Sequence, residues 1–412
     1  MVEIAPFPAI RYNPAKVSNL SLAICPPYDV ISVPQYDKLL KRHPQNIVRI
    51  ELPLAQGTKD RYEIAAQLWN RWRNQRILIQ DKEPAYYGYE QRFSTGMASY
   101  FRRGFFAALR LEKPGEGHVR PHERTFPKHK EDRLRLMRAT SANVSPIFGI
   151  FFDRHKKAQK LLEHRMTEKP LTVTRDDKGV THRLWRWSDA EARKALSGAL
   201  SAEDVLIADG HHRYETAWNY AQEKLAHSRS SGRRQAYRFV MTFLCPLSDP
   251  GLVIQPTHRA VRWSMPWDDW QQRLEKNFSI QRLTGLNALV SRLRSNKEGN
   301  SLGVVAEGGK LLWLRPKSTG ESHSFMPVVP LHEQILKDVP LDNISYGQDP
   351  RNMVQTLQRG ECNLVFLLPP PDKQAFAAIC RAGRRLPQKS TYFYPKLGTG
   401  LVMRTLAGGV EG

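Results

Sequence analysis

The sequence has few of the features that mark specialised classes of protein. It contains four cysteines in 412 residues, and they lie far apart without a Cys-x-x-Cys pair, which argues against a disulfide framework and against a zinc site. No apolar run approaches the roughly 18 residues of a membrane span. The first residues lack the basic and then apolar segments of a signal peptide. We therefore expect a cytoplasmic protein with reduced thiols and no membrane partner.

Several widespread catalytic and nucleotide-binding motifs are also missing. The sequence has no Gly-x-x-x-x-Gly-Lys-[Ser/Thr] loop, no dinucleotide-binding Gly-x-Gly-x-x-Gly, no Gly-x-Ser-x-Gly and no His-Glu-x-x-His. Gly308-Gly309-Lys310 lacks the spacing of a phosphate-binding loop. Any nucleotide must therefore be bound by a different structure.

Negative charge is scarce in comparison with positive charge. Lys and Arg number 63 against 40 Asp and Glu, a formal net charge of +23. Such an excess suggests a phosphate-bearing partner, because neutralising phosphates releases counterions. The basic residues are spread along the chain, however, which is typical of a solvated surface. We expect the functional part of this charge near Arg120–Arg138 and Arg213, where it would bind a small phosphorylated ligand; nucleic acid is a possible but less favoured partner.

Hydrophobic patterning predicts a mixed α/β (α+β) protein. Apolar residues at helical spacing predict helices over Arg61–Asn74 and Trp267–Asn277. Apolar runs predict strands at Tyr100–Leu111, Tyr237–Cys245 and Asn363–Leu368. The length suggests two or three domains, and we predict an N-terminal α/β segment, a central phosphate-binding core and a C-terminal α/β domain, at 1–98, 99–227 and 236–412.

The strongest local signal is a strand, a turn and a helix that begins with His-His-Arg. Asp204–Ala208 is a short apolar strand, Asp209-Gly210 is a turn pair, and Arg213–His227 carries apolar residues on one helical face. The N–H groups at a helix start and the positive end of the helix dipole favour an anion. The turn and the first helical residues therefore predict a phosphate site made by Gly210, His211, His212 and Arg213.

The polar residues of this turn have alternative interpretations. Arg213 can bind a phosphate through two N–H groups. Asp209 could hold Mg²⁺ or orient a histidine, or it could serve only as a turn former. His211 and His212 could bind a transition metal, although neighbouring positions point apart on a helix. We favour the phosphate interpretation because two histidines and an arginine at a helix start are hard to explain structurally.

A second polar motif, His122-Glu123-Arg124-Thr125, lies in a proline-flanked loop. A glutamate beside an anion site can act as a general base that activates a hydroxyl group for phosphoryl transfer. Taken alone, the motif fits an ordinary surface loop equally well.

With these motifs, the sequence resembles the family catalogued as domain of unknown function 1015 over roughly residues 5–405. The matching segments besides the two motifs are Pro27–Ser32, Val365–Pro370 and Leu386–Leu397. The combination is specific, and the family is widespread in bacteria and archaea. It implies no particular activity.

The order of the motifs supports a narrower resemblance. His-Glu-x-Thr, then a helix with Arg133-Leu134, then Pro146-Ile147, then Asp-Gly-His-His-Arg is similar to the ParB/sulfiredoxin-like fold, in which this strand–turn–helix binds nucleotide phosphates. The member that looks most similar is the free serine kinase, which phosphorylates the serine hydroxyl with ADP or ATP and uses a glutamate as base. The resemblance implies a central ParB/sulfiredoxin-like domain with N-terminal and C-terminal α/β extensions.

The resemblance also implies roles for the residues of both motifs. Glu123 would be the base, with His122 and Asp209 as further catalytic residues, and Asp209 would hold Mg²⁺. The nucleotide, ATP or ADP, would be bound by Thr125, Gly210, His211, His212 and Arg213.

The sequence thus predicts a nucleotide-dependent phosphotransferase that acts on a small hydroxyl compound, either as a serine kinase or in reverse as a phosphoserine phosphatase. The alternative is a ParB-like, nucleotide-dependent DNA-binding or regulatory protein, which the net charge supports. A C-terminal polar cluster, Lys389-Ser390-Thr391 with Lys396, either completes the site or belongs to a loop that packs its own aromatic residues.

Overall fold

The computed structural model describes residues 1–55, 57–123, 127–227, 234–295, 299–317 and 326–409, apart from the side chains of 127–129. Contacts group the chain into two compact units. Unit 1 comprises Met1–Pro121, Thr125–Leu252 and Pro395–Gly412, and unit 2 comprises His122–Arg124 and Val253–Tyr394. Both units combine helices and strands, which confirms the mixed α/β class. The division into segments 1–98, 99–227 and 236–412 stays a prediction.

Unit 1 contains most of the regular structure. Its strands up to residue 246 are β1 (Ile4–Ala5), β2 (Ile10–Tyr12), β3 (Leu78–Gln80), β4 (Tyr87–Thr95), β5 (Ala98–Arg110), β6 (Val119–Arg120), β7 (Ala142–Asn143), β8 (Ile147–Phe151), β9 (Thr172–Arg175), β10 (Thr181–Leu184), β11 (Val205–Asp209) and β12 (Phe239–Pro246). Its helices are α1 (Val33–Arg42), α2 (Val48–Glu51), α3 (Arg61–Asn74), α4 (Pro127–Thr140), α5 (Lys157–Arg165), α6 (Ala190–Leu200) and α7 (His211–His227).

A mixed nine-stranded sheet is the centre of unit 1. Its order is β6-β11-β8-β12-β5-β4-β10-β9, with β1 also paired to β5. Strand β12 runs parallel to β8 and antiparallel to β5, and β11 runs antiparallel to β8. Every residue of β8 and β12 is buried, as expected of central strands covered on both faces. Apolar residues of α5, α6 and α7 pack with the sheet in one core cluster, which fixes the end of β11 and the start of α7.

Unit 2 is built on an antiparallel sheet. Its strands are β13 (Val253–Gln255), β14 (His258–Val261), β15 (Phe278–Arg282), β16 (Leu302–Ala306), β17 (Lys310–Pro316), β18 (Ile344–Gly347), β19 (Leu364–Leu367) and β20 (Tyr392–Tyr394). Its helices are α8 (Trp267–Asn277), α9 (Leu286–Ser295), α10 (Val328–Pro330), α11 (Pro350–Gln358) and α12 (Lys373–Arg381). The six-stranded order is β15-β17-β16-β19-β14-β18, and β13 pairs separately with β20. The chain ends in unit 1, where β21 (Arg404–Thr405) pairs with β7.

The elements predicted from the sequence agree well with these bounds. The helices predicted at Arg61–Asn74 and Trp267–Asn277 are confirmed as α3 and α8. The strand predicted from Tyr237 begins at Phe239, because residues Ala236–Arg238 form a 3-10 turn. All four cysteines are buried, and none forms a disulfide. None of the helices in the described ranges has the length and apolar character that a membrane crossing requires.

Candidate functional site

The strand–turn–helix of unit 1 forms as the sequence predicts. Strand β11 ends at Asp209, and α7 begins at His211, so both histidines lie in the first helical turn. Gly210, which lies between Asp209 and His211, has a φ of +89°, a conformation that glycine adopts at little cost. The N–H of Tyr214 donates to the carbonyl of Gly210 at 2.9 Å and closes the first turn. This geometry directs the N-terminal end of a 17-residue helix towards the end of β11.

Two cations bind the carboxylate of Asp209. Its Oδ1 accepts a hydrogen bond from Nζ of Lys396 at 3.2 Å, and its Oδ2 accepts one from Nη2 of Arg213 at 3.0 Å. Burial alone would raise the pKa of Asp209, but Lys396 and then Arg213, with a contribution from His211, hold it well below its usual range. Asp209 is therefore ionised, and it shares its negative charge between two cations at the start of α7.

Arg213 is oriented by its surroundings. It is 7% exposed, and its Nη1 donates to the carbonyl of Pro146 while its Nη2 binds Asp209. Burial opposes the charge of Arg213, yet Asp209 and Asp29 raise its pKa. Part of the guanidinium fork that the sequence assigned to phosphate is thus engaged by protein groups. Direct phosphate binding by Arg213 stays a prediction.

The N-terminal segment Pro27–Ser32 also contributes to this part of unit 1. Asp29 and Tyr28 both act electrostatically on Arg213. The guanidinium carbon of Arg133 lies 4.3 Å from the centroid of the Tyr28 ring, and burial raises the pKa of Tyr28 to about 12. Reasoning from the residues did not assign Tyr28 or Asp29 to the site. Their signal was the Tyr-Asp pair inside a segment that supported only the family resemblance.

A small cavity lined by both polar and apolar side chains lies beside Arg213. Its volume is about 30 Å³, and its lining includes Glu51, Arg133, Ser145 and Arg213. Glu51 is 1% exposed and accepts a hydrogen bond from Oγ of Ser145 at 2.9 Å. The cavity has room for about two water molecules, so it can complete the hydrogen bonding of these groups but cannot hold a nucleotide.

In unit 2, His122 is anchored firmly. It is fully buried, its Nε2 lies 3.0 Å from Oγ1 of Thr391, and its ring packs edge-on against Phe376 with the centroids 4.8 Å apart. The N–H of Leu386 donates to the carbonyl of His122 at 2.8 Å. These contacts hold the His122 side chain in place, and its catalytic role stays a prediction.

Glu123 follows His122 and has a cationic neighbour in unit 2. Its Oε1 lies 3.9 Å from Nε2 of His122, and Arg259 and Tyr346 both experience its charge. Arg259 is fully buried and donates to the carbonyls of Thr257 and Lys389. The carboxylate of Glu123 thus lies within the electrostatic reach of a buried guanidinium, and its role as a general base stays a prediction.

The remaining predicted residues lie at different places. His211 is buried and His212 is partly exposed. Thr125 falls outside the described residues. In the C-terminal cluster, Thr391 binds His122 and Lys396 binds Asp209, while Phe393 packs against Phe376 with centroids 5.4 Å apart. The cluster therefore contributes both to polar networks and to aromatic packing.

The described residues do not form a metal cage. No group of three or more His, Cys, Asp or Glu among them is arranged to hold an ion. Both oxygens of Asp209 face cations, which oppose a further cation at the same carboxylate. Mg²⁺ is commonly bound by one or two carboxylates together with substrate phosphates. The donor set in unit 1 does not by itself fit Mg²⁺, and Asp209 as its ligand stays a prediction.

Comparison with known proteins gives a family and several remote structural similarities. The family model described as "Protein of unknown function (DUF1015)" matches residues 4–339, a range that ends before Val365–Pro370 and Leu386–Leu397. No curated protein matches the chain.

Three solved structures illustrate the structural similarities. A conserved hypothetical protein from Pyrococcus furiosus is 14% identical, covers 68% of this chain and 90% of its own, and has a TM-score of 0.34. A free serine kinase in complex with AMP is 13% identical, with coverages of 69% and 88% and a TM-score of 0.34. SbnI with a C-terminal truncation, from Staphylococcus aureus, is 11% identical, with coverages of 72% and 86% and a TM-score of 0.39.

Proposed function

Because the chain belongs to the DUF1015 family of proteins of unknown function, we propose a function from its own residues. The proposed activity is the nucleotide-dependent transfer of a phosphoryl group to a small hydroxyl compound. ATP or ADP is the proposed donor, and free serine is the leading candidate for the acceptor. The same residues, with water as the nucleophile, would hydrolyse phosphoserine.

The observation that carries this proposal is the ion-paired turn at the start of α7. One carboxylate, Asp209, is shared by Lys396 and Arg213, so these three groups together carry one net positive charge. The helix start adds N–H groups and the positive end of a dipole, which together form a common type of phosphate site. An incoming phosphate can form an ion pair with Lys396 without leaving Asp209 unpaired, because Arg213 stays bound to Asp209.

In the proposed reaction, the acceptor hydroxyl oxygen attacks the terminal phosphorus of the nucleotide. A new P–O bond forms, the bridging P–O bond breaks, and the nucleotide leaves with one phosphate fewer. The carboxylate of Glu123 takes the hydroxyl proton, and cations at the phosphate site stabilise the charge on the transferred group. His122 keeps Glu123 in place through its contact with Thr391. No step of this proposal depends on Mg²⁺.

A phosphorus-NMR screen tests the proposal. The purified protein is incubated with ATP or ADP and serine, with phosphoserine and AMP or ADP, and with phosphoserine alone, each with and without added Mg²⁺. We expect a phosphomonoester signal to appear with serine, or to be lost when phosphoserine is supplied. Arg213→Ala should weaken nucleotide binding, measured by calorimetry, whereas Arg359→Ala, which removes an exposed arginine paired with Glu361, should not.

Two outcomes would contradict the proposal. Unchanged phosphorus spectra in every mixture would exclude the reaction for these substrates. Duplex DNA binding in the micromolar range or tighter across a salt series, without turnover, would favour the DNA-binding alternative instead.

A further inference from the structure

Arg102 is a buried charge that the proposed reaction does not use directly. It lies in β5 and is fully buried, and burial lowers the pKa of its guanidinium. Placing an arginine in such a setting is costly unless its N–H groups have well-oriented partners. The identity of those partners therefore indicates what the residue does.

The partners of Arg102 join β4 to the C-terminal segment of unit 1. Arg102 stands opposite Gln91 in the β4–β5 pairing, and its Nε donates to Oε1 of Gln91 at 3.1 Å. Its Nη2 donates to Oε1 of Gln91 and to the carbonyl of Pro395. Its guanidinium carbon lies 4.8 Å from the centroid of the Phe148 ring, within cation–π range.

Gln91 binds the next residue of the C-terminal segment, Lys396. It is fully buried, and its Nε2 donates to the carbonyl of Lys396 at 3.1 Å. One cross-strand pair thus holds two consecutive carbonyl groups, those of Pro395 and Lys396. The Nζ of the same Lys396 donates to Asp209 at 3.2 Å.

Lys396 needs such support because its backbone lies outside any helix or strand. A lysine side chain loses rotamer entropy when it is immobilised, and a mobile backbone adds to the cost of placing its ammonium group. The hydrogen bonds from Arg102 and Gln91 to the carbonyl groups of Pro395 and Lys396 restrict this backbone. Placing the Lys396 ammonium group then costs less entropy.

We propose that Arg102 and Gln91 are positioning residues of the phosphate site, which hold the backbone of Lys396 so that its ammonium group rests on Asp209. The structural part of this inference concerns Lys396 and Asp209 alone. Its functional part, that the ammonium group is thereby ready for a phosphate, rests on the proposed function.

The reactivity of Lys396 towards an amine-acylating reagent tests the structural part. Ion pairing protects a lysine because the reagent needs the neutral amine, so Lys396 should be acylated slowly, as measured by mass spectrometry on the intact folded protein. Asp209→Asn and Arg102→Met should each raise the rate several-fold, and Arg102→Lys should raise it less. Arg110→Met is the matched control, because it removes an arginine of the same strand that pairs with Glu3.

A milder variant covers the possibility that Arg102→Met does not fold. Gln91→Asn keeps the amide but shortens it, and it should raise the acylation rate of Lys396 while circular dichroism shows a folded protein. An unchanged rate in folded Gln91→Asn, or an unchanged rate in Asp209→Asn, would overturn the inference.

A separate measurement distinguishes this inference from the proposed function. If the wild-type protein binds neither ATP nor ADP, the proposed function fails, while the acylation rates still decide whether Arg102 and Gln91 position Lys396. If nucleotide binds, it should lower the acylation rate of wild-type Lys396 and have a smaller effect in Gln91→Asn. An equal effect in both proteins would contradict the functional part.

Discussion

The Nε2 atom of His122 lies 3.0 Å from the Oγ1 atom of Thr391, within unit 2 and across 269 positions of sequence. The backbone strengthens this link, because the N–H of Leu386 donates to the carbonyl of His122. The C-terminal segment thus anchors the residue that precedes Glu123. A base that must accept a proton at a defined place benefits from such an anchor.

Loss of the Thr391 hydroxyl should weaken this anchor. We expect Thr391→Val to lower the free energy of unfolding by about 1 kcal/mol, the usual net value of a buried hydrogen bond, as measured by urea denaturation. Thr399→Val is the control, since the Thr399 hydroxyl is buried without a hydrogen-bond partner among the described residues. Equal costs for the two substitutions would contradict a specific His122–Thr391 bond.

Substitution of Asp209 should destabilise unit 1. Asp209→Asn leaves Lys396 and Arg213 without their shared counter-charge, and we expect a loss of about 3 kcal/mol at pH 7. Glu215→Gln, which breaks a more exposed pair on α7, should cost much less.

The effect of Asp209→Asn should also depend on pH in a defined direction. The pKa of Asp209 is lowered in the folded protein, so its contribution is fully present above the unfolded value near about 4 and is lost as the pH falls towards the folded value. The stability difference between wild type and Asp209→Asn should therefore shrink in urea titrations below about pH 4. A difference that grows in acid would show that the carboxylate is not stabilised by these cations.

Gly210 tests whether the shape of the turn is required. An alanine there would adopt a positive φ and place its Cβ 3.1 Å from Arg213, and we expect Gly210→Ala to cost about 1–3 kcal/mol and to weaken nucleotide binding. Gly198→Ala, in α6 with no atom near its Cβ position, should stabilise the protein by about 0.5–1 kcal/mol. Thermal unfolding compares the two variants, and a neutral Gly210→Ala would refute the requirement.

Asp249 should make stability fall as the pH rises. Burial raises its pKa to about 7, although it accepts a hydrogen bond from the N–H of Gly251 at 2.9 Å. The folded state binds a proton that the unfolded state releases near about pH 4, so stability declines from that pH up to about 7. Asp249→Asn should flatten this decline in melting temperature between acidic and neutral pH. The exposed Asp338→Asn should not, and an unaltered slope in Asp249→Asn would contradict the assignment.

The proposed base gives the most direct prediction for activity. Glu123→Gln should lower turnover by about 100-fold or more, in the range of general-base contributions, while nucleotide affinity by calorimetry stays close to that of wild type. Glu116→Gln, at an exposed carboxylate paired with Lys113, is the control and should behave as wild type. Unchanged turnover in Glu123→Gln would remove Glu123 from the mechanism.

Much of the local structure could be predicted because it depends on short-range patterns. Helix α3 coincides with the predicted Arg61–Asn74, since its apolar residues recur at helical spacing and their burial suits no other structure. The turn at Asp209-Gly210 was equally clear, because only glycine takes its φ without strain. Helix α7 begins at His211, two residues before the predicted start at Arg213, because the pattern of apolar residues begins after the histidines.

The partners of the polar residues could not be predicted in the same way. Lys396 stood in the sequence as a basic residue among aromatics, with no pattern that connected it to Asp209, 187 positions away. The same holds for Tyr28 and Asp29, whose charges act on Arg213. Ion pairs and hydrogen bonds carry no periodicity along the chain, so residue types alone do not indicate which groups meet.

The sequence by itself thus determined the mixed α/β class, the strand–turn–helix and the polar residues at its turn, because backbone conformation and apolar periodicity are local properties. The tertiary structure alone decided that Lys396 and Arg213 share Asp209, that Arg102 and Gln91 hold the segment of Lys396, and that His122 is bound to Thr391. Those relationships depend on how distant strands pair and bury their polar groups, and the balance between desolvation and pairing exists only once the chain has folded.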